Sequence, residues 1–420
     1  MKLSVARVIK RSMPLFLMLL SVAIGIVSVE LFYRLILASS ASIDDKAMHR
    51  VVFLDGRGTI VQNHDEIFTY LPHNEIRNLT GFVYDRRYNI EYDYHFQTNN
   101  FGLVQADDIV PQRESFLFLG DSFTEGQGAE PWFRMASPQI DKLGYQPVNG
   151  GLMGTGFEQW VKLARYLAAE KIDVRKALVL FISLDYDRPV WNFTADNFNC
   201  LVALPRCQID GSYFYRLPSP EELPSWVEKI MTARAGAASR APAIRRSWLG
   251  SRAAMLLPAT YQVYTYFRSQ LVEQQSHDAV AELIRMYGAE NIAFMHLPQK
   301  DELGYGPNSL GLKARHSIEK EGGRLFDGFK LCQLVPADYY ANDDHPNGGG
   351  YSKVVACVTE VIKEMTAGNR YGTPANNDLH VEPRKEAAEP QYDGDHDFGP
   401  RAARDRSTVR RFGSAMSSEG

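Results

Sequence analysis

Residues 116–128 read Phe-Leu-Phe-Leu-Gly-Asp-Ser-Phe-Thr-Glu-Gly-Gln-Gly. The apolar run at 116–119 is typical of a buried strand, and Gly120 lets the backbone turn sharply where that strand ends. Open α/β sheets bind their ligands at the carboxyl ends of the strands. Ser122 is therefore the candidate nucleophile, and the alternative is a serine that only caps the following helix.

A second polar motif lies far downstream, where residues 342–351 read Asn-Asp-Asp-His-Pro-Asn-Gly-Gly-Gly-Tyr and open the last helix with apolar periodicity. His345 can accept the proton of a serine hydroxyl, and Asp343 can orient the imidazole and stabilise its charged form. The alternative is a polar loop in which Asn347 caps the helix. Both interpretations can hold together.

With these two motifs the chain resembles the SGNH (GDSL-type) hydrolase family over residues 114–366. Residues 148–159, Val-Asn-Gly-Gly-Leu-Met-Gly-Thr-Gly-Phe-Glu-Gln, are similar to the family's second block. The resemblance implies that the amides of Gly154 and Ser122 hold an oxyanion, and the alternative is a plain glycine-rich β-to-α turn. Asn149 is a further candidate site residue.

The family's third block, Gly-x-Asn-Asp, is not intact in this chain. It should fall within residues 179–189, Val-Leu-Phe-Ile-Ser-Leu-Asp-Tyr-Asp-Arg-Pro, where no asparagine stands. Leu184 or Asp185 takes its place, and neither supplies an amide donor. A buried, protonated Asp185 could donate a hydrogen bond instead.

The fold class predicted is α/β, a three-layer α/β/α arrangement with a doubly wound parallel sheet, the flavodoxin-like fold of the SGNH family. Apolar strands and helical stretches alternate after Ser122, as that fold requires. An insertion over 186–257, with a hairpin at Asp210-Gly211, interrupts the alternation and could supply a substrate lid or be a mobile loop. His296 ends a later strand on the catalytic side, but a lone histidine there is more often structural.

Residues 45–113 are predicted to form a small β-rich accessory region. Residues 51–61 look like a hairpin around Asp55-Gly56, and residues 90–97 alternate with aromatics. Residues 98–102, Thr-Asn-Asn-Phe-Gly, resemble a segment that precedes the nucleophile strand in exported family members, so the region is expected to pack on the catalytic domain.

The amino-terminal residues predict a membrane anchor. Residues 1–12 carry four basic side chains, and 14–29 carry no charge. About 20 apolar residues span a bilayer, so 13–38 is predicted to be a transmembrane helix, with 1–12 cytoplasmic by the positive-inside rule. The rival is a signal peptide cleaved near Ala41. Either interpretation exports the catalytic domain.

The four cysteines suit disulfides in an oxidising compartment, with Cys200–Cys207 and Cys332–Cys357 as the expected pairs and four free thiols as the alternative. Residues 367–420 hold few aliphatic side chains and are predicted to be disordered. A net charge of −4 without a basic, aromatic-interleaved cluster argues against a nucleic-acid partner. Neither a metal-ligand cluster nor a phosphate-binding loop is evident, so no cofactor is expected.

The function predicted is that of a serine esterase, anchored in the inner membrane by a single span, with its catalytic domain facing the periplasm or exterior. It would remove acyl groups, with acetyl favoured, from an extracytoplasmic carbohydrate or other ester. One alternative is an O-acyltransferase acting on cell-envelope polysaccharide, and another is an envelope binding protein that keeps the fold without turnover. Its partners are the ester substrate and the membrane.

Overall fold

The structure is a computed structural model of the 420-residue chain. It describes residues 17–31 except 19 and 23, and residues 49–54, 60–62, 67–84, 87–129, 131–188, 206–209, 212–216, 219–238 and 258–367.

The central sheet has five strands, all parallel, as the alternating pattern predicted. In chain order they are β6 (Glu114–Gly120), β7 (Gln146–Gly151), β8 (Asp173–Phe181), β11 (Ile292–His296) and β12 (Arg324–Asp327). They lie in the order β12-β11-β8-β6-β7. The turn that carries Ser122 therefore follows a strand with neighbours on both sides.

Helices cover both faces of this sheet. Successive side chains of a strand point to opposite faces, and Phe116 and Phe118 of β6 join one core cluster while Leu117 and Leu119 join the other. Pro131–Lys142 and Gly348–Ala367 pack on the phenylalanine side, and the opposite face is covered by Phe157–Ala169, Pro258–Tyr287 and Ser309–Lys320. Short helices lie at Ser122–Glu125 and Gly328–Leu331, with 3₁₀ turns at Ser183–Asp187, Lys300–Glu302 and Pro336–Asp338.

A second five-stranded sheet, here called the accessory sheet, consists of β1 (His49–Leu54), β4 (Glu75–Tyr84), β5 (Arg87–Gln97), β9 (Arg206–Ile209) and β10 (Ser212–Arg216). These strands lie in the order β5-β4-β1-β10-β9. The predicted hairpin over 51–61 is wrong. β1 pairs with β4 and β10, whereas β2 (Ile60–Gln62) pairs with β3 (Phe68–Tyr70), because tertiary partners override the Asp-Gly turn signal.

The described part of the insertion builds onto the accessory sheet. β9 and β10 form the antiparallel pair predicted at Asp210-Gly211, and β10 runs parallel to β1. Helix Leu223–Ala238 places Met231 in a buried cluster with Val51, Phe53 and Leu79. The accessory region predicted over 45–113 thus gains two strands and a helix from residues that follow Ser122 in the chain.

Strand β5 contains a bulge opposite β4. Thr80 pairs with Tyr92 and Gly81 pairs with Ile90, which leaves Glu91 without a partner in the ladder. A bulge of this kind breaks the alternation of side chains and re-aims them. Residues of β5 also enter the same core cluster as one face of the central sheet, so the predicted packing of the accessory region on the catalytic domain is present.

Cys332 and Cys357 form the predicted disulfide, which ties the last helix to the segment after Leu331. The other predicted pair, Cys200 with Cys207, lies outside the described residues because 200 is not described.

The predicted membrane span over 13–38 is described only in part. Its described residues between 17 and 31 are helical, and none of the helices in the described ranges has the length and apolar character needed to cross a bilayer. The segments predicted to be cytoplasmic (1–12) and disordered (beyond 367) lie outside the described residues.

Candidate active site

Ser122 is the first residue of the short helix that follows β6, and it is 5% exposed. The Asp121 side chain caps this helix by accepting from the Phe123 amide over 2.9 Å. Gly120 is required at the turn, because a Cβ there would lie 1.9 Å from Thr124 Oγ1 and 2.4 Å from the Leu180 carbonyl oxygen. Serine does not serve as the helix cap here, so its hydroxyl is available for chemistry.

The three predicted triad side chains form one hydrogen-bonded chain. Ser122 Oγ lies 2.7 Å from His345 Nε2, and His345 Nδ1 lies 2.5 Å from Asp343 Oδ1. An ionised carboxylate can only accept, so Nδ1 carries the proton and Nε2 is left to accept from the serine hydroxyl. A weaker contact of 3.3 Å joins Ser122 Oγ to Asp121 Oδ2. This geometry favours proton transfer from Ser122 to His345.

Asp343 is held in its charged form. Burial alone would raise its pKa, but the charges of His345 and Arg50 and the hydrogen bonds from His345 and Tyr92 lower that pKa well below its usual range. The carboxylate therefore stays ionised at neutral pH, which is the state that orients the imidazole.

The loop after β7 carries Gly154, which adopts a left-handed backbone with φ of 70°. The preceding residue, Met153, donates its amide over 2.7 Å to Glu125 Oε2, and Glu125 Oε1 accepts from the Tyr70 hydroxyl. Burial raises the pKa of Glu125 to about 8, although these two hydrogen bonds lower it. Glu125 thus links the nucleophile helix to the loop predicted to hold the oxyanion.

Residues 179–189, where the family's third block should fall, carry no side-chain amide. Leu184 is 45% exposed, and Asp185 is fully buried, with Oδ2 accepting from the Ile182 amide over 2.9 Å. Burial, and then the charge of Asp121, raise the pKa of Asp185 well above its usual range. Arg188 Nη1 lies 3.1 Å from Asp121 and 3.3 Å from Asp185, so it joins the two carboxyl groups.

Asn149 and His296 have structural surroundings. Asn149 Nδ2 donates to the Val104 carbonyl, and its Oδ1 accepts from the Gly151 amide, so it supports the loop that is predicted to hold the oxyanion. His296 is buried at 3.0 Å from Ser183 Oγ and accepts from Arg315 at Nδ1. Burial, reinforced by the charge of Arg315, lowers the pKa of His296 to about 3, and it is not part of the triad.

Side chains from the accessory sheet complete the site, and the sequence alone did not identify them. Tyr92 donates to Asp343 Oδ2 over 2.9 Å, and Arg50 lies 3.6 Å from the same oxygen. The only sequence signal at Tyr92 is the aromatic alternation of its strand, which does not distinguish a core tyrosine from one at a site. Within the described ranges, no group of three or more His, Cys, Asp or Glu side chains could hold a metal ion.

No protein-family model and no curated protein matches the sequence. Solved structures similar to the chain include a lipolytic G-D-S-L family member from Veillonella parvula, at 12% identity and a TM-score of 0.29, covering 60% of this chain and 98% of that one. The esterase EstA from Pseudoalteromonas sp. matches at 13% and 0.30, covering 60% and 98%. A variant of an acetyl xylan esterase from Geobacillus stearothermophilus matches at 13% and 0.27, covering 61% and 96%.

Members of the SGNH (GDSL-type) family are therefore among the structural neighbours, as the motifs predicted. The identities and TM-scores are too low to carry the chemistry of those proteins over to this chain.

Proposed function

We propose that the protein is a serine esterase of SGNH type. The observation that carries the proposal is the hydrogen-bonded chain from Ser122 Oγ through His345 to the ionised Asp343. A nucleophile within 2.7 Å of a base that is itself oriented by a carboxylate is the arrangement used for acyl transfer.

In the proposed reaction, Ser122 Oγ attacks the ester carbonyl carbon while His345 Nε2 takes the hydroxyl proton. The tetrahedral intermediate collapses with cleavage of the bond to the leaving oxygen, and His345 returns the proton to that oxygen. Water then attacks the acyl-serine through the same base, which releases the carboxylic acid and restores Ser122. Asp343 stabilises the imidazolium in both halves.

The amides of Ser122 and Gly154 are proposed to hold the oxyanion. Losing one oxyanion donor costs about 3 kcal/mol of transition-state stabilisation where it has been tested. The exposed Leu184 side chain in the third block supplies no such donor, so we expect slower turnover than an enzyme with three donors would show.

The direct test is labelling with a fluorophosphonate, which reacts with activated serines. We expect the full-length protein to be labelled and Ser122→Ala to be unlabelled. Labelling that survives the substitution would remove Ser122 from the mechanism. Binding of an acetylated polysaccharide without Ser122-dependent ester cleavage would instead favour a non-catalytic envelope protein.

The proposed substrate is an acylated, chiefly acetylated, carbohydrate outside the cytoplasm. Support comes from the basic residues that precede the uncharged run at 14–29, an order that directs the downstream domain out of the cytoplasm. Acetate release from a chromogenic acetyl ester, measured with and without oligosaccharide, shows whether water or a sugar hydroxyl accepts the acetyl group. A hydrolase releases acetate equally in both, whereas an O-acyltransferase moves the acetyl group to the sugar.

The proposed location is the inner membrane, with a single span and the catalytic domain in the periplasm or exterior. Alkaline phosphatase fused after residue 366 is expected to be active and to fractionate with membranes. An inactive fusion would contradict this orientation and the polysaccharide substrate with it. An active but wholly soluble fusion would indicate cleavage near Ala41.

A further inference from the structure

The accessory sheet touches the triad directly. We propose that Tyr92 and Arg50 of this sheet are positioning residues, which hold Asp343 in the orientation that serves His345. The inference rests on the proposed function, and it assigns to the accessory sheet a part in the reaction.

Hydrogen-bond capacity fixes the direction of the Tyr92 hydroxyl proton. The hydroxyl oxygen accepts from Arg50 Nη2 over 2.8 Å and from Gln127 Nε2 over 2.9 Å. A phenol has one proton to donate and two lone pairs, and both lone pairs are taken. The proton must therefore point to Asp343 Oδ2, 2.9 Å away.

The two oxygens of the Asp343 carboxylate are then used separately. Oδ1 accepts from His345 Nδ1 and from the His345 amide, and Oδ2 accepts from Tyr92. A carboxylate bonded at both oxygens cannot rotate about its Cβ–Cγ bond without breaking a hydrogen bond. Burial raises the pKa of Tyr92, so the phenol remains a donor throughout the neutral range.

The bulge in β5 explains how two consecutive side chains reach the same loop. Glu91 accepts from the Asn342 amide over 2.8 Å and from Asn342 Nδ2 over 2.7 Å, while Tyr92 binds Asp343. Consecutive residues of a regular strand point to opposite faces, so this double contact needs the unpaired residue that the bulge provides. β5 thus fixes both the main chain and the carboxylate of the triad loop.

Removal of the Tyr92 hydroxyl should change the electrostatics of the His345–Asp343 pair as well as its alignment. The titratable groups that interact with Asp343 include His345, Asp344 and Tyr340 from its own loop, Arg50 from β1 and Tyr92 from β5. Glu91 lies next to Tyr340, and Lys300 and Asp301 lie next to Asp344. Without the donor from Tyr92, or the charge of Arg50, the Asp343 carboxylate holds the imidazolium proton more strongly. The acidic limb of the kcat/KM profile should then move to higher pH.

The experiment compares full-length Tyr92→Phe with Tyr94→Phe, which makes the same chemical change two residues along the strand, in a ring that packs 5.8 Å from that of Tyr92. For Tyr92→Phe we expect a fall in kcat of roughly tenfold with little change in KM, and a shift of the acidic limb of kcat/KM upward by about half a pH unit to one unit, as for one hydrogen bond. Arg50→Met should shift the limb in the same direction. Tyr94→Phe should match the wild type.

A spectroscopic measurement separates this inference from the proposed function. The proton between His345 and Asp343 should give a low-field NMR resonance that is absent in His345→Gln and displaced in Tyr92→Phe but not in Tyr94→Phe. If the wild type shows no Ser122-dependent turnover but the resonance is displaced in Tyr92→Phe and not in Tyr94→Phe, the esterase proposal fails while the positioning role stands. If Tyr92→Phe matches Tyr94→Phe in both pH profile and resonance, the positioning role is refuted.

Discussion

The buried carboxyl of Glu125 makes a quantitative prediction about stability. It is 1% exposed, and its pKa is raised from 4.5 to about 8, chiefly by burial. Replacement by glutamine keeps the shape and removes the titration. The new carboxamide could accept from the Met153 amide through its oxygen and donate to the Tyr70 hydroxyl through its nitrogen, so the neutral network is preserved.

The pH dependence of the free energy of unfolding follows from the difference in protonation of Glu125 between the unfolded and the folded state. The unfolded chain loses the Glu125 proton near pH 4.5, whereas the folded protein keeps it to about pH 8. The free energy of unfolding that this group contributes is therefore fully present below about pH 4.5 and falls as the pH rises toward 8. At about 1.4 kcal/mol per pH unit, the total loss is on the order of 5 kcal/mol.

Glu125→Gln should escape this loss. We expect the variant to match the wild type near pH 4.5 and to exceed it increasingly as the pH approaches 8, by an amount on the order of 5 kcal/mol. Urea unfolding of both full-length proteins at half-unit pH steps measures the difference. Glu319→Gln, the same change at an exposed helix position, is the matched control and should show no such divergence.

If the free energies of unfolding of Glu125→Gln and the wild type changed with pH in parallel, the reasoning would be refuted, because the Glu125 carboxyl would then ionise equally easily in the folded and unfolded states. Divergence in the opposite direction, with the variant losing ground as the pH rises, would show that ionised Glu125 is stabilised by Met153 and Tyr70 more than burial penalises it.

Two further predictions concern the free energy of unfolding. Arg188→Met removes the cation that joins the buried carboxyl groups of Asp121 and Asp185, and it should lower the free energy of unfolding by about 3 kcal/mol, as broken buried pairs do. Unchanged urea midpoints would contradict this. The double variant Cys332→Ser, Cys357→Ser should lower the free energy of unfolding by about 3 kcal/mol, because the disulfide closes a loop with a sequence separation of 25 residues. A reductant should lower the urea midpoint of the wild type but not that of the double variant.

The parts of the site that the sequence predicted are those whose chemistry is local. Gly120-Asp-Ser122 follows a buried strand, and Asp343 stands two residues from His345, so each half of the triad is visible in a short stretch. Parallel topology brings both halves to the same edge of the sheet. The missing amide at Leu184 was visible for the same reason, since it is a matter of residue type at one position.

The residues that the sequence did not predict act across long distances with ordinary side chains. Tyr92 and Asp343 are 251 residues apart, and a tyrosine in an alternating aromatic strand is usually a core residue. The bulge at Glu91 has no residue-type signature. The hairpin expected at Asp55-Gly56 failed because a turn signal describes local preference, whereas β1 is paired by strands from elsewhere in the chain.

The parallel pairing of β1 with β10 has a consequence for biosynthesis. β1 leaves the ribosome before the whole nucleophile region, and β10 emerges after it. Until β10 arrives, the growing sheet ends at β1, whose unpaired amides and carbonyls are open to strands of other nascent chains. Premature termination between β8 and β9 would release a polypeptide that contains Ser122 but whose β1 edge stays unpaired, which would favour aggregation.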